Sequence, residues 1–310
     1  DIQCVIDALK SDYLTQGPKI KEFEEAFASY VGCKYAIAVN NATAALHLAA
    51  TALDVNPGDK VIVTPLTFAA SANCIRYRGG EVVFCDVEED TYLMDIKKLS
   101  RLLSQSPKGT YKGIVLVDFA GYPANLEAFR QLADEYGLWI IEDACHAPGG
   151  YFIDSKGEKQ LCGNGNFADV SVFSFHPVKH IATGEGGMAT TNCKELYEKL
   201  CLYRTHGITK NPALLHENHG GWYYEMQELG YNYRITDFQA ALGISQLKRA
   251  DMGLARRQEI ARRYREGLSD LKGVKLPFVS DQVFHAYHLF IIQVEDRLGL
   301  LRYYPWHQSG

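Results

Sequence analysis

Short apolar runs alternate with amphipathic stretches along the first two thirds of the chain. Each apolar run has five to seven residues and ends at polar residues or glycine, which is typical of a buried strand. The predicted strands are residues 35–39, 60–65, 81–87, 113–119, 138–144, 169–175 and 186–192. The predicted helices before and between them are residues 20–32, 42–53, 68–79, 95–105 and 125–137. This alternation indicates βαβ units.

The βαβ units predict an α/β fold with a mostly parallel seven-stranded sheet in an αβα sandwich. After residue 192 the pattern changes. It predicts a helix, a polar and aromatic loop, a long helix or helix pair, and one strand, at residues 194–207, 210–234, 235–271 and 286–295. We therefore expect a large domain of residues 1–245, including an N-terminal arm. A smaller C-terminal α/β domain, residues 246–310, is expected to be only partial.

The charge distribution argues against two classes of partner. The chain has 310 residues and a net charge of −5, without a long block of like charges. Nucleic-acid binding and attachment to a membrane surface both favour clustered basic residues, so we expect neither. No apolar run approaches the roughly 20 residues that cross a bilayer.

The eight cysteines include no C-x-x-C pair, and most have apolar neighbours. This placement is typical of small buried residues in a reducing compartment, so we expect free thiols and a cytoplasmic protein. A metal site built from Cys145, His146 and Cys162 is an alternative. The paired spacing of zinc ligands is absent, however, and we therefore expect no metal.

Candidate ligand-binding residues follow four of the predicted strands. Thr43 opens a helix after the first strand, and Phe68 follows the second. Asp143 lies at the end of the fifth strand, and Lys179 follows the sixth. The carboxyl ends of parallel strands meet at one edge of a sheet, so these side chains are expected to lie close together. Taken singly, the first of these features is equally well a plain N-cap by Asn41 or Thr43, and Lys179 a surface lysine.

Together, these residue types match the parts of one cofactor. Pyridoxal phosphate has a phosphate, a flat ring, a ring nitrogen that must stay protonated, and an aldehyde that condenses with a lysine amine. A helix beginning near Thr43 suits the phosphate, and Ser174 offers it a hydroxyl. Phe68 suits the ring face, Asp143 the ring nitrogen and Lys179 a Schiff base.

The sequence also resembles the DegT/DnrJ-type nucleotide-sugar aminotransferases, which use pyridoxal phosphate and have fold type I. The matching stretches occur in family order and include "NNATAALHL", "TPLTFAASAN", "VDFAGYPA", "IIEDACHAPGG", "FSFHPVKHIATGEGG" and "LGYNYRITDFQAALGISQL". The resemblance assigns Lys179 to the Schiff base and Asp143 to the ring nitrogen. It also assigns Phe68 to ring stacking and His146 to the ring hydroxyl.

The resemblance further places Thr43, Ala44 and Ser174 at the cofactor's phosphate. Asn232 matches an asparagine that reaches the phosphate of the neighbouring subunit, which implies a homodimer with two shared active sites. The implied activity is transamination of a nucleotide-linked keto sugar with L-glutamate, which leaves 2-oxoglutarate. "VDFAGYPA" and "LTQGP" look most like enzymes that aminate UDP-linked 4-keto-6-deoxy-N-acetylhexosamines for surface polysaccharide or glycan amino sugars, including pseudaminic acid.

Three alternatives stay open at this point. A keto-sugar 3-dehydratase of the same fold carries histidine where Lys179 stands, and His176 and His180 lie nearby. A non-catalytic sensor of pyridoxal phosphate or a sugar nucleotide would not need both Lys179 and Asp143. A desulfurase would need a cysteine in a mobile loop, and none is evident. His285, His288 and His307 are interpreted as core or surface histidines.

Overall fold

The computed structural model describes residues 1–217 and 219–299. Each of the seven apolar runs contains a strand of one central sheet, which confirms the predicted fold class. The strands up to residue 191 are β1 (Tyr35–Val39), β2 (Lys60–Val63), β3 (Glu81–Phe84), β4 (Tyr111–Val117), β5 (Trp139–Asp143), β6 (Tyr151–Ile153), β7 (Lys159–Leu161), β8 (Val170–Ser174) and β9 (Gly187–Thr191). Of these, β6 and β7 form a small separate hairpin that the sequence pattern did not predict.

The helices are α1 (Ile2–Leu9), α2 (Pro18–Val31), α3 (Ala42–Ala52), α4 (Ala70–Tyr77), α5 (Ile96–Ser104), α6 (Leu126–Tyr136), α7 (Lys194–Arg204), α8 (Asp237–Leu247) and α9 (Ala250–Leu268). Helix α3 is buried over most of its length, from Ala44 to Ala52. Its start is fixed by Asn41, whose side-chain oxygen accepts a hydrogen bond from the Ala44 N–H. The sequence therefore specifies where this central, mostly apolar helix begins.

The central sheet has the strand order β1-β9-β8-β5-β4-β2-β3. The pairs from β3 through β2, β4 and β5 to β8 are parallel, whereas β9 runs antiparallel to both β8 and β1. The prediction of a mostly parallel sheet is therefore confirmed. The carboxyl ends of the parallel strands lie at one edge, where β5 ends at Asp143 and β8 ends at Ser174.

Helices cover both faces of the sheet, because successive strand residues point to opposite faces. Ile37 and Val39 pack in one core cluster with residues of α3, α4 and α7. Ala36 and Ala38, on the other face, pack with α2 and α8. Farther along that second face, Ile62 packs with residues of α5 and α6. The result is the three-layer sandwich expected from βαβ units.

The C-terminal part differs from the prediction in one respect. The expected strand over residues 286–295 is wrong, because only β14 (Gln293–Val294) forms there, paired with β12 (Val274–Lys275). Ahead of it, β13 (Val283–Phe284) pairs with β6. Residues 286–289, which we call the strap, instead bind the turn at residues 119–121. The Ala286 and Leu289 N–H groups donate to the Gly121 and Ala120 carbonyls at 2.7 and 3.1 Å.

The long predicted loop contains one short pair of strands, β10 (Ile208–Thr209) and β11 (Glu225–Met226). The following helical region is a pair, α8 and α9, as one of the two predicted alternatives had it. The domain boundary at residue 246 stays a prediction. His307 lies outside the described residues. No helix in the described ranges is long and apolar enough to cross a membrane.

Candidate active site

A cavity of about 740 Å³ opens at the carboxyl edge of the sheet. Among its lining side chains are seven of the eight residues predicted for the site: Thr43, Ala44, Phe68, Asp143, His146, Ser174 and Lys179. Asn232 is exposed and does not line this cavity. One chain therefore brings together every predicted residue except the one expected to act on a neighbouring subunit.

Asp143 is held in one orientation by two donors. Its side chain is only 6% exposed, at the end of β5. The Ser71 hydroxyl donates to Oδ2 at 2.7 Å, and the Cys145 N–H donates to Oδ1 at 3.3 Å. The Thr67 hydroxyl lies 2.7 Å from that of Ser71 and extends the network. These donors fix the orientation of the buried carboxylate, as a partner for a protonated ring nitrogen requires.

Sequence reasoning missed Ser71. The available signal was its spacing, since Ser71 lies four residues after Thr67 and therefore near it once helix α4 begins. It also missed a polar and aromatic wall of the cavity formed by His47, Tyr77 and Tyr233. The Nδ1 atom of His47 lies 3.0 Å from the Tyr233 hydroxyl. His47 stands one helical turn after Thr43, a spacing that could have placed it beside the site.

Lys179 follows β8 and is partly buried. Burial lowers the pKa of its amine, against the opposing influence of Cys145 and Asp143. Within the described residues, no carboxylate lies within 4.0 Å of its Nζ atom. An amine that is desolvated and free of a direct ion pair loses its proton more readily, and only the neutral amine attacks a carbonyl.

The segment carrying Lys179 is closed by its own hydrogen bonds. The Phe175 N–H donates to the Gly186 carbonyl at 2.8 Å, and the Thr183 N–H donates to the Phe175 carbonyl at 2.9 Å. The Thr183 hydroxyl donates to the Glu185 carbonyl at 2.6 Å. These bonds fix the connection between β8 and β9, so the lysine is presented from a defined loop.

The N-terminus of α3 provides an anion site at one end of the cavity. The N–H groups of Ala42 and Thr43 have no acceptor in the described parts of the chain, while the Ala44 N–H is satisfied by Asn41. Free N–H groups and the helix dipole together favour a phosphate. The hydroxyls of Thr43 and Ser174 line the same cavity. This donor set suits the phosphate of the expected cofactor.

Gly187 allows the backbone of β9 to pass beside this anion site. A Cβ atom at Gly187 would lie 2.5 Å from the Asn41 carbonyl carbon and 2.6 Å from the Ala42 nitrogen. These contacts are with backbone atoms, which cannot swing away as a side chain does. Only glycine therefore fits where β9 meets the start of α3.

His146 presents one nitrogen to the protein and leaves the other available. Its Nδ1 atom accepts a hydrogen bond from the Ala120 N–H at 3.2 Å. Burial lowers the pKa of His146 to about 3, so the ring is neutral near pH 7. A neutral imidazole that accepts at Nδ1 carries its proton on Nε2. His146, which lines the cavity, thus offers an N–H donor suited to a ring hydroxyl.

Phe68 stands at the cavity mouth with 76% of its surface exposed, which leaves its ring available for stacking. Asn232 lies on a different segment and is joined to Thr205 by a β-bridge.

The alternative metal set does not assemble, since Cys145, His146 and Cys162 form no cluster of potential ligands in the described ranges.

Cys162 instead lies with Asp118 and Glu142, whose potential ligand atoms are within 4.8 Å of one another. The Ala124 N–H donates to Asp118, and the Ser171 hydroxyl and Gly163 N–H donate to Glu142. Burial, followed by the charge of Glu142, raises the pKa of Asp118 well above its ordinary value. Burial also raises the pKa of Glu142, and the larger shift at Asp118 makes Asp118 the group expected to keep a proton.

Comparison with known proteins gives a consistent result. Residues 1–302 match the DegT/DnrJ/EryC1/StrS aminotransferase family. The chain is 40% identical over 297 residues to the spore coat polysaccharide biosynthesis protein SpsC of Bacillus subtilis, covering 96% of this chain and 74% of that protein. It is 44% identical over 265 residues to the UDP-4-amino-4,6-dideoxy-N-acetyl-beta-L-altrosamine transaminase of Campylobacter jejuni, covering 85% of this chain and 65% of that one.

A solved structure agrees with these relatives. The Helicobacter pylori aminotransferase PseC, involved in the biosynthesis of pseudoaminic acid, superposes with a TM-score of 0.84 at 31% sequence identity. The match covers 98% of this chain and 77% of PseC. A similarity of this extent includes the central sheet and the loops at its carboxyl edge.

Proposed function

The chain belongs to the DegT/DnrJ/EryC1/StrS aminotransferase family, and we propose that it transfers an amino group from L-glutamate to a UDP-linked 4-keto-6-deoxy-N-acetylhexosamine. Membership makes it a nucleotide-sugar aminotransferase that depends on pyridoxal phosphate and serves amino-sugar biosynthesis. The proposal adds the identity of the two substrates. One observation supports the transamination chemistry: Lys179 and Asp143 line the same cavity as the free N–H groups at the start of α3.

Each polar residue of the cavity has a defined task in this proposal. The start of α3, Thr43 and Ser174 bind the phosphate of the cofactor. Asp143 holds a proton on the ring nitrogen, and the Nε2–H of His146 donates to the ring hydroxyl. When bound, pyridoxal phosphate supplies an electron sink for the carbon that gains or loses the amino group.

Lys179 has two tasks in the proposed reaction. Its neutral amine, which the lowered pKa favours, would hold the cofactor by condensing with its aldehyde group and releasing water. When it is not bonded to the cofactor, the same amine would act as the base that moves a proton at the substrate carbon. Both tasks need a lysine on a defined loop, and the hydrogen bonds that close residues 175–186 supply one.

The keto-sugar assignment rests on the relatives and on the size of the cavity. The Campylobacter relative is named for a UDP-linked 4-amino sugar, and PseC is described as an aminotransferase of pseudoaminic acid biosynthesis. A cavity of about 740 Å³ lies in the upper part of the range for small-molecule sites, which leaves space for a sugar beside the cofactor. Phe68 and Val178, both exposed, give the cavity mouth an apolar rim suited to a deoxy sugar.

We also propose a homodimer with shared sites. Asn232 is exposed and, unlike its neighbour Tyr233, does not line the cavity of its own chain, as expected of a residue that binds the phosphate in a neighbouring subunit. Exposed apolar residues in the segment before it, Trp222, Met226 and Leu229, are suited to burial in such an interface.

A trapping experiment tests the proposed function. Borohydride treatment of the protein with pyridoxal phosphate is expected to fix the cofactor on Lys179, and L-glutamate alone is expected to yield 2-oxoglutarate. Lys179→Ala should abolish both results. Lys199→Ala is the matched control, because Lys199 pairs with Asp54 at 2.8 Å and does not line the cavity.

Three outcomes would each contradict part of the proposal. Labelling of another lysine in Lys179→Ala would contradict the assignment of Lys179 as the residue that binds the cofactor. Cofactor binding without formation of 2-oxoglutarate would favour a sensor or a dehydratase. In a third outcome, the enzyme converts other nucleotide sugars of a test panel with L-glutamate and yet converts no UDP-linked 4-keto sugar. That result would contradict only the substrate assignment.

A further inference from the structure

The ring of His288 stacks on the ring of His146. The ring centroids are 4.3 Å apart, and the planes are inclined by 25°. His146 lines the cavity, whereas His288 does not. His288 therefore stands behind His146, which presents its own ring to the cavity.

The strap that carries His288 is tied to the turn that also binds His146. Ala120 donates its N–H to His146 Nδ1, and its carbonyl accepts the Leu289 N–H. The neighbouring Gly121 accepts the Ala286 N–H. A Cβ atom on Gly121 would lie 2.7 Å from the His146 carbonyl oxygen and 3.0 Å from the His288 nitrogen. One turn thus sets the positions of both histidines.

Helix α9 holds the strap from the other side. Arg257 donates to the Tyr287 carbonyl at 3.2 Å, and the Gln258 side chain donates to the His285 carbonyl. Tyr287 has a φ of 50°, an unfavourable value for a residue with a side chain. A strained conformation persists only where its surroundings determine it, and here hydrogen bonds constrain the strap at both faces.

The groups around the two rings are Lys179, His180 and Arg257. Burial is the main cause that lowers the pKa of His146 and the pKa of His288. The three neighbouring groups lower these pKa values further, because each opposes a positive charge on at least one of the two rings. His288 has a pKa of about 4 and is therefore neutral near pH 7. Its Nδ1 atom is buried and has no hydrogen-bond partner in the described residues. The contact with His146 is thus a stack between neutral rings and not an ion pair.

We propose that His288 is a positioning residue, which fixes the ring plane of His146 so that the Nε2–H donor meets the ring hydroxyl of bound pyridoxal phosphate. The proposal rests on the proposed function, because it requires that cofactor in the cavity. Without the stack, His146 keeps its bond to Ala120 but gains freedom to rotate about it. With the stack intact, the strap couples the C-terminal part of the chain to the ring end of the bound cofactor.

A double-mutant cycle in the full chain tests this role, with pyridoxal phosphate as the probe. His288→Ala should raise the Kd for the cofactor about fivefold, on the scale of a lost aromatic pair. It should also shift the pH at which the visible band of the bound cofactor titrates, because the ring hydroxyl loses its donor. In a His146→Ala background, His288→Ala should change neither quantity further.

Two further variants separate positioning from a general loss of structure. His288→Phe keeps a flat ring and should retain the wild-type titration, whereas His288→Leu should shift it. This pair also replaces His288→Ala if that variant does not fold. Leu289→Ala is the matched control on the same strap, because it keeps its backbone hydrogen bond and has an exposed side chain.

The outcomes distinguish this inference from the proposed function. Wild-type protein that does not bind pyridoxal phosphate would overturn both. Normal binding and labelling of Lys179, with an unshifted titration in His288→Ala or His288→Leu, would overturn only the role of His288. Equal effects of His288→Ala in the wild-type and His146→Ala backgrounds would also overturn it.

Discussion

The Ser71 hydroxyl donates a 2.7 Å hydrogen bond to Oδ2 of Asp143, and both side chains are buried. Ser71 lies on α4 and Asp143 at the end of β5, so the bond joins a helix to the sheet edge at the cavity. It fixes the carboxylate that would hold the proton on the cofactor ring. A substitution at Asp143 should therefore lower turnover more than one at Ser71, and the two effects should not simply add.

Asp143→Asn should lower turnover by about 100-fold or more, on the scale of a lost transition-state interaction of about 2.7 kcal/mol. Ser71→Ala leaves the carboxylate in place and should cost about tenfold, near the 1.4 kcal/mol of one charge-assisted hydrogen bond. Steady-state kinetics and the Kd for pyridoxal phosphate check both. Ser104→Ala, at an exposed position on α5, is the control. Near-normal turnover in Asp143→Asn would contradict the role of the carboxylate.

Gly187→Ala should weaken cofactor binding about tenfold or more, because the added methyl group would displace the backbone at Asn41 and Ala42. Equilibrium dialysis against pyridoxal phosphate measures the effect. Gly253→Ala is a matched control, since a Cβ atom there meets nothing within 4 Å. That change lies within helix α9 and should leave binding unchanged while stabilising the chain slightly. Equal affinities in the two variants would argue against an anion site at the start of α3.

Mixing two inactive variants tests the shared site. One chain carries Lys179→Ala and the other Asn232→Asp, which places a like charge against the cofactor phosphate. In a mixed dimer, one site contains both changes and the other contains neither. The intact site should restore up to half the wild-type activity per mixed dimer. The role of Asn232 would be refuted if mixed dimers formed and stayed inactive.

Asp118→Asn should flatten the pH dependence of stability. The pKa of Asp118 is raised in the folded chain, so the folded state keeps a proton that the unfolded state releases above about pH 4. The free energy of unfolding should therefore fall as pH rises through this window, by up to about 1.4 kcal/mol per pH unit for one proton. Asparagine keeps a donor toward Glu142 and does not titrate.

Urea unfolding between about pH 5 and pH 7 measures this difference in slope. The exposed Asp12 supplies the control, since Asp12→Asn should leave the wild-type slope unchanged. A slope for Asp118→Asn as steep as that of the wild type would show that Asp118 does not keep a proton in the folded chain.

The sheet could be predicted from sequence because its strands are short apolar runs with breaks between them. Residues 286–295 carry a similar apolar pattern, and there the prediction failed. The N–H groups of Ala286 and Leu289 bind the turn at residues 119–121 instead of a neighbouring strand. Nothing in the local pattern reveals that competing partner, since it lies more than 160 residues earlier in the chain.

The same distinction applies to the candidate site. Thr43, Phe68, Asp143 and Lys179 follow predicted strands, so their convergence follows from the geometry of a parallel sheet. Ser71 and His288 contact the site from elements whose approach depends on tertiary packing. Their chemistry is ordinary for a helix and a loop, and only the folded chain shows which groups they meet.

The connection that carries Lys179 leaves and rejoins the sheet at Ser174 and Gly187, which are register partners in the β8–β9 pair. The bonds between Phe175 and Gly186 and between Thr183 and Phe175 also tie the connection internally, so one inserted or deleted residue would break a bond or move the lysine. During evolution, substitutions on the exposed side of residues 175–186 should be tolerated far better than any change in their number.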